Sequence, residues 1–141
     1  EILGLEYNDI YIDRFQSFIA IRSNSLRKIK NINKIRTIPL IGVSLICGKY
    51  FFKTLINCKN NLVFEGEFDK LENSIKRILK KNTNSKSIMS LQKTLIARLL
   101  HINCPEEVIL DLIGRSRKNS LYNREISLDI KKSWLEHLEY F

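Results

Sequence analysis

The apolar residues of this chain change period once, near residue 41, and that single change restricts the fold to a sheet followed by helices. Before it they come in short alternating or extended runs: Ile10 and Ile12, then Phe18-Ile19-Ala20-Ile21, then Arg36-Thr37-Ile38-Pro39-Leu40. Runs of this length predict three short strands, with a turn near Asp13–Gln16 and Pro39 closing the third. A basic, Asn-rich excursion over 23–35 separates the second strand from the third as a long hairpin tip. From Val43 to about Ile56 the spacing is helical, with Val43, Ile46, Cys47, Tyr50, Phe51 and Leu55 on one stripe. The aromatics Tyr50, Phe51 and Phe52 fit a buried helix.

Leu62-Val63-Phe64 reads as a brief extended piece. Asp69 then offers a helix N-cap with Glu72 as its capping-box partner, and Leu71, Ile75, Ile78 and Leu79 follow at helical spacing until the polar stretch Asn82–Ser87. A longer helix is predicted over 89–102, with Leu91, Leu95, Leu99 and Leu100 inward. Cys104-Pro105-Glu106-Glu107 starts another, because Pro suits the first helical position and acids suit the positive end of the dipole. Gly114 is a natural left-handed stop. After a basic loop to about Ile126, a last helix runs from Ser127 to the C-terminus on the stripe Leu128, Trp134, Leu135 and Leu138. No internal repeat is present. The predicted class is α+β, one domain over residues 1–141, with a small three-stranded antiparallel sheet followed by a mainly helical bundle.

Composition supports a packed core: 44% of the 141 residues are hydrophobic and 28% charged, with five Gly and two Pro. Collagen-like, Pro-rich and disordered classes are thereby excluded. No apolar run approaches the roughly 18–20 residues a membrane-spanning helix needs, so no membrane partner is expected. Cys47, Cys58 and Cys104 are widely spaced and form no CxxC pair. A zinc site or disulfide framework needs closer ligands, so they read as buried thiols of a reducing cytoplasm, and no metal or cofactor is expected.

Charge is informative for its placement. There are 24 Lys+Arg against 15 Asp+Glu, a net +9, yet no acid occurs from Arg14 to Phe64 or from Asn73 to Pro105. Basic residues concentrate at Arg22, Arg27, Lys28, Lys30, Lys34 and Arg36, at Lys76, Arg77, Lys80, Lys81, Lys86 and Lys93, and at Arg115, Arg117, Lys118 and Arg124. Such segregation gives a one-sided positive field, the footprint of a polyanion binder, and double-stranded DNA is the expected partner. A generally Lys- and Asn-rich composition is the competing account, but it would not by itself keep acids out of so long a stretch.

The order of motifs resembles the catalytic domain of the tyrosine recombinases, the phage-integrase family. Glu1-Ile-Leu-Gly-Leu5 with Asp9-Ile10 is similar to its E-L-x-x-L-x-x-x-D-I opening. Lys30 followed by Arg36-Thr-Ile-Pro-Leu40 resembles its hairpin lysine and R-x-I-P-L strand, and Leu62-Val-Phe64 the short piece before its fourth helix. Met89-Ser-Leu-Gln-Lys-Thr94 falls on H-x-L-R-H-T, Leu112-Ile-Gly-Arg-Ser116 on L-x-G-H-S, and Tyr122 on the nucleophilic tyrosine. The likeness spans the whole chain in order. It implies DNA binding, a role in DNA integration or recombination within a mobile element, and a metal-free reaction. In that reaction the tyrosine attacks a phosphodiester to form a 3′-phosphotyrosyl bond and release a 5′-hydroxyl. Two arginines and a His or Trp stabilise the developing charge, and a lysine protonates the leaving oxygen.

Carried over residue by residue, that set is depleted. The first arginine would lie upstream of Glu1, which implies a chain that begins inside the domain. Lys30 matches the hairpin lysine, either as general acid or as one phosphate-neutralising lysine among several. The catalytic histidine is Met89 and the second arginine is Gln92. Lys93 is either a phosphate contact or a solvated helix residue. Arg115 replaces the histidine of L-x-G-H-S; it can hold a phosphate oxygen but cannot shuttle protons near neutral pH. Tyr122 follows Arg115 at a shorter interval than the family shows. Cleavage is therefore expected to be impaired, while Arg27, Lys28, Lys34, Arg36, Lys86, Arg117 and Lys118 are expected to contact DNA. Two alternatives stand beside this pseudo-enzyme reading. One is an active recombinase, with Lys93 or Arg98 replacing the second arginine and Tyr122 attacking. The other is a regulatory or assembly module, oligomerising through Ser127–Phe141. Trp134 packs either within its own chain or on a neighbouring protomer. His101 and His137 stand alone and read as surface or core residues.

Overall fold

A computed structural model of the chain describes residues 4–24, 27–30, 34–55, 62–63, 68–82, 87–115 and 125–138. They form an α+β arrangement of three short strands, β1 (Ile10–Tyr11), β2 (Phe18–Ile21) and β3 (Arg36–Pro39), and five helices. The helices are α1 (Gly42–Leu55), α2 (Phe68–Asn82), α3 (Ile88–His101), α4 (Glu106–Ile113) and α5 (Leu128–Glu136). The sheet order is β1-β2-β3 and both pairings are antiparallel, with Ile10 opposite Ile19 and Ile19 opposite Ile38. At the expected extended piece Leu62 bridges to Glu6 and the Val63 N–H donates to the Leu5 carbonyl at 2.8 Å, while Phe64 lies outside the described residues.

The buried apolar residues fall into two clusters that meet at consecutive residues. Leu40 packs with Leu5, Ile10 and Val63 beneath the sheet and α1, whereas Ile41 packs with Leu99, Cys104, Val108, Ile109, Leu112, Leu135 and Leu138 among α3, α4 and α5. The turn after β3 thus joins a sheet core to a helix core. Pro39 ends the ladder, Gly42 has a positive φ of 49°, and Ser44 Oγ accepts from the Ile41 N–H at 2.9 Å as α1 begins.

Cap chemistry accounts for the helix boundaries. Ser87 accepts from the Met89 N–H, and Ser127 from the Ile130 N–H, each satisfying a donor that lacks an intrahelical partner. Gly114 closes α4 at φ 69°, ψ 37°, a conformation in which a Cβ is costly. Three boundaries differ from the sequence reading. Pro105 is the N-cap of α4, one position before the first helical residue, and Glu106 and Glu107 still occupy the first turn. Helix α2 begins at Phe68, so Asp69 lies inside its first turn. Helix α5 ends at Glu136, capped by His137, short of the C-terminus.

The predicted inward stripe of α1 is corrected. Val43, Ile46 and Tyr50 are 71%, 68% and 66% exposed, and Cys47 is exposed too. Of the predicted stripe Phe51 does pack on the sheet core, where Leu45 and Phe52 join it in place of the exposed residues, and buried Gly48 lies where a Cβ would come within 2.8 Å of the Leu40 side chain. Close approach of the backbone at Gly48 sets the rotation of α1, and this glycine carries no weight in an apolar-stripe argument. Likewise Leu91 and Leu100 of α3 are exposed, with Leu95, Ile96 and Leu99 inward, and Ile78 of α2 faces outward. No helix among the described residues is long and apolar enough to cross a membrane.

Candidate nucleic-acid interface

The basic residues divide into those that the fold consumes and those that it leaves at the surface. Asp9, wholly buried, organises the first group. It accepts from Arg22 Nε at 2.7 Å, from Arg27 Nη2 at 3.2 Å and from the Glu6 N–H at 3.1 Å. Arg27 Nε also donates to the Arg22 carbonyl at 2.9 Å. The Asn24 amide donates to the Gly4 carbonyl at 2.6 Å, and a Cβ on Gly4 would stand 2.7 Å from that of Arg27. The start of the β2–β3 connection is therefore folded down onto the N-terminal segment. The hydrogen bond that Arg22 donates to Asp9 raises the Arg22 pKa above its ordinary value, against a smaller lowering by desolvation.

Arg36, at the head of β3, is also buried. Its Nε donates to the Leu112 carbonyl at 3.1 Å and its Nη1 to the Lys34 carbonyl at 2.9 Å. It meets the carbonyl end of α4, where a cation is favoured. A Cβ on Gly114 would lie 2.5 Å from Nη1, so the glycine serves both the left-handed cap and the seat of this guanidinium. The expectation that Arg27 and Arg36 face DNA is corrected here: both side chains are committed to partners inside the protein.

Lys28, Lys30, Lys34, Lys93 and Arg115 are exposed, and among the described residues none of their side chains forms an ion pair or hydrogen bond. Arg36 connects two of their groups. It ties the Lys34 end of the β2–β3 connection to the end of α4, next to Arg115, whose own N–H donates to the Leu110 carbonyl at 2.9 Å. Met89 is exposed and Gln92 half-buried on the first turns of α3, beside Lys93. Tyr122, Arg117, Lys118, Arg124 and Lys86 lie outside the described residues.

A further buried charge, on α5, was missed by the sequence reading. Lys131 of α5 has 0% exposure. Its Nζ donates to the Thr37 carbonyl at 2.7 Å and to Thr37 Oγ1 at 3.0 Å, and stands 2.9 Å from Asp111 Oδ2 and 3.8 Å from Glu125 Oε1. Thr37 Oγ1 in turn donates to Glu125 Oε1 at 3.0 Å. The ammonium covers the free edge of β3 and joins it to α4 and α5. A signal existed in the sequence: Lys131 falls on the Leu128–Leu135–Leu138 stripe, where a charge needs a buried partner.

Cys104 is buried and Cys47 exposed, so the expectation of buried thiols holds for the first and is corrected for the second; Cys58 lies outside the described residues. Burial pushes the Cys104 thiol above its ordinary pKa. No cluster of His, Cys, Asp and Glu able to hold a metal occurs among the described residues. Compared with known proteins, the chain matches no family profile, and no curated protein or solved structure is significantly similar to it.

Proposed function

We propose that this chain is an integrase-like domain that binds double-stranded DNA through its phosphates and retains too few catalytic groups to cleave it. The observation that carries the reading is the set of exposed cations Lys28, Lys30, Lys34 and Arg115, unpaired among the described residues, whose two chain segments are drawn together by Arg36. Cations without internal partners are the ones able to release counterions from DNA. The catalytic half rests on the motif resemblance: Met89 and Gln92 stand where a proton donor and a charge donor are required. Each lost charge donor costs about 10²–10³ in rate, and such losses compound.

Fluorescence anisotropy with a duplex at several salt concentrations tests the binding. About six phosphate contacts give a log–log slope near −5, and Lys30→Glu with Lys34→Glu should flatten it by about two. A slope shallower than about −1 refutes DNA as the partner. A nicked suicide substrate tests the chemistry, since a covalent adduct abolished by Tyr122→Phe would establish an active recombinase in place of the impaired one.

A second reading, the assembly module, draws on a groove of about 400 Å³ along α5 lined by Asp129, Ile130, Ser133, Trp134 and His137. Exposed Ile130 beside half-buried Trp134 offers an apolar contact for a second copy. Deleting 127–141 would remove Lys131, Leu135 and Leu138 from the core, so the suitable probe is Ile130→Asp. Under this reading it abolishes concentration-dependent sedimentation; a monomer at all concentrations in the unaltered chain refutes it.

A further inference from the structure

Phe15, Val43, Ile46 and Tyr50 are the four most exposed large apolar side chains among the described residues, and three of them lie on one helix. Val43, Ile46, Tyr50 and Lys53 follow one another along α1 at intervals of three, four and three residues, the spacing of a coiled-coil seam in which a lone lysine fixes register. Apolar residues scattered singly over a surface are ordinary, whereas a contiguous row marks an interaction site. The opposite side of α1 is packed on the sheet core through Leu45, Phe51 and Phe52, which fixes the row outward. The rim of the row is cationic. Lys49, three residues after Ile46, also borders a recess of about 280 Å³ that reaches Phe15, and neither Lys49 nor Lys53 has an ion pair or hydrogen bond among the described residues. Two carboxylates line that recess and both are engaged: Asp13 accepts from the Arg14 N–H, and Glu136 lies 3.8 Å from Lys132 Nζ. The chain supplies no acid from Arg14 to Phe64.

We propose that this face of α1 docks an acidic amphipathic helix of another protein, with Val43, Ile46 and Tyr50 as the apolar seam and Lys49 and Lys53 as the groups that select its charge. Charge complementarity decides the occupant. In a pair of α1 helices from two copies of the chain, antiparallel packing sets Lys49 and Lys53 against a first turn that holds no acid and carries the positive end of the helix dipole. Parallel packing sets the lysines against each other. Duplex DNA would take the two cations and leave the apolar row against water. A helix with leucines along one seam and glutamates beside it covers the row and pairs both lysines at once. The inference stands apart from the DNA reading, since it uses none of Lys28, Lys30, Lys34 and Arg115.

The probe is a synthetic three-heptad peptide with Leu at the two seam positions and Glu at the flanking ones, whose like charges keep it from pairing with itself; its twin has Lys in place of Glu. Fluorescence anisotropy of the labelled peptides with the full chain should show saturable binding of the Glu peptide, and binding of the Lys twin weaker by roughly tenfold. Val43→Ser with Ile46→Ser changes no charge and should weaken the Glu peptide by roughly tenfold. Lys49→Glu with Lys53→Glu should reverse the preference between the two peptides. All four side chains are exposed, and thermal melting checks that the variants stay folded. Failure of the Glu peptide to bind, equal affinity for the two peptides, or unchanged affinity in the serine variant overturns the proposal. So does loss of binding in Lys30→Glu with Lys34→Glu, which would move the peptide to the proposed DNA face. Concentration-dependent sedimentation of the chain alone that the serine variant abolishes would make a second copy the occupant. Cosedimentation with phosphatidylserine vesicles that it abolishes would make a lipid surface the occupant, and either result overturns the partner helix.

Discussion

Lys131→Met removes the ammonium from the core and keeps most of the aliphatic stem. What remains is Asp111, whose Oδ2 is sealed from solvent and receives no aligned hydrogen bond, so that the 2.9 Å ion pair with Lys131 is its compensation. The Thr37 carbonyl also loses a donor at 2.7 Å. Removing one member of a buried pair costs about 3–5 kcal/mol. The Asp111 side chain is 21% exposed, which places the cost at the lower end, about 3 kcal/mol. A domain has about 5–15 kcal/mol in total, so this is a large share, and at about 3–5 °C per kcal/mol the melting temperature should fall by about 9–15 °C. Asp111→Leu alone should cost a comparable amount, because it strands the lysine, with Glu125 at 3.8 Å as the nearest acid. The double variant should cost about 2–3 kcal/mol less than the sum, since an apolar pair replaces an ionic one. Urea unfolding followed by circular dichroism gives all four stabilities, and equal m-values confirm a common unfolded state. A loss below about 1 kcal/mol in Lys131→Met, or additivity in the double variant, refutes the argument that this pair is coupled across the core.

Three further expectations follow from which groups are buried and which are exposed. Asp9→Asn leaves the buried Arg27 guanidinium without its carboxylate and should destabilise the chain by about 3 kcal/mol in the same urea assay. It should also free the start of the β2–β3 connection, seen as faster amide exchange at Asn24 and Arg27. Cys47 should react with a thiol reagent at pH 8 far faster than Cys104, read by mass spectrometry of the labelled peptides. Because burial raises the Cys104 pKa in the folded state, the stability it contributes is complete below the ordinary thiol range. That stability declines as pH rises above about 8.5, where the unfolded chain ionises first; Cys104→Ala should remove that part of the alkaline decline.

The elements were legible because their signals are local. Three alternating runs became three antiparallel strands, and Ser127, Glu106, Glu107 and Gly114 marked helix ends by satisfying or terminating the backbone within one turn. Which face of each helix turns inward was not local. Val43, Ile46 and Tyr50 make as good a stripe as Leu45, Phe51 and Phe52, and the choice between them depends on Gly48 meeting Leu40, a contact no periodicity contains. The charged sites divide in the same way. That positive charge would gather near the β2–β3 connection could be read from the absence of acids. That Asp9 would take Arg22 and Arg27 could not, because the partners are distant in sequence and each looks like an ordinary surface ion. Lys131 is the instructive miss, since its place on an apolar stripe signalled burial, whereas its partners Thr37 and Asp111 come from two other elements.

If the proposed DNA reading holds, the division of labour among the cations bears on what this surface could recognise. In the β2–β3 connection and β3, the arginines Arg22, Arg27 and Arg36 bond to carbonyls or a carboxylate, and Lys28, Lys30 and Lys34 are left outward. The chemistry of the two side chains matches this partition: a planar fork with five donors satisfies several fixed acceptors at once, and a flexible ammonium serves as a hydrated point charge. Discrimination between bases in the major groove depends most often on an arginine fork against guanine, whereas phosphate contacts carry no sequence information. On the DNA reading, the lysine-rich face therefore supplies affinity and register without choosing a sequence. The described cation best suited to reading a base edge is Arg115. Its backbone follows the Gly114 cap, where its N–H donates to the Leu110 carbonyl, and its side chain is left outward at the end of α4.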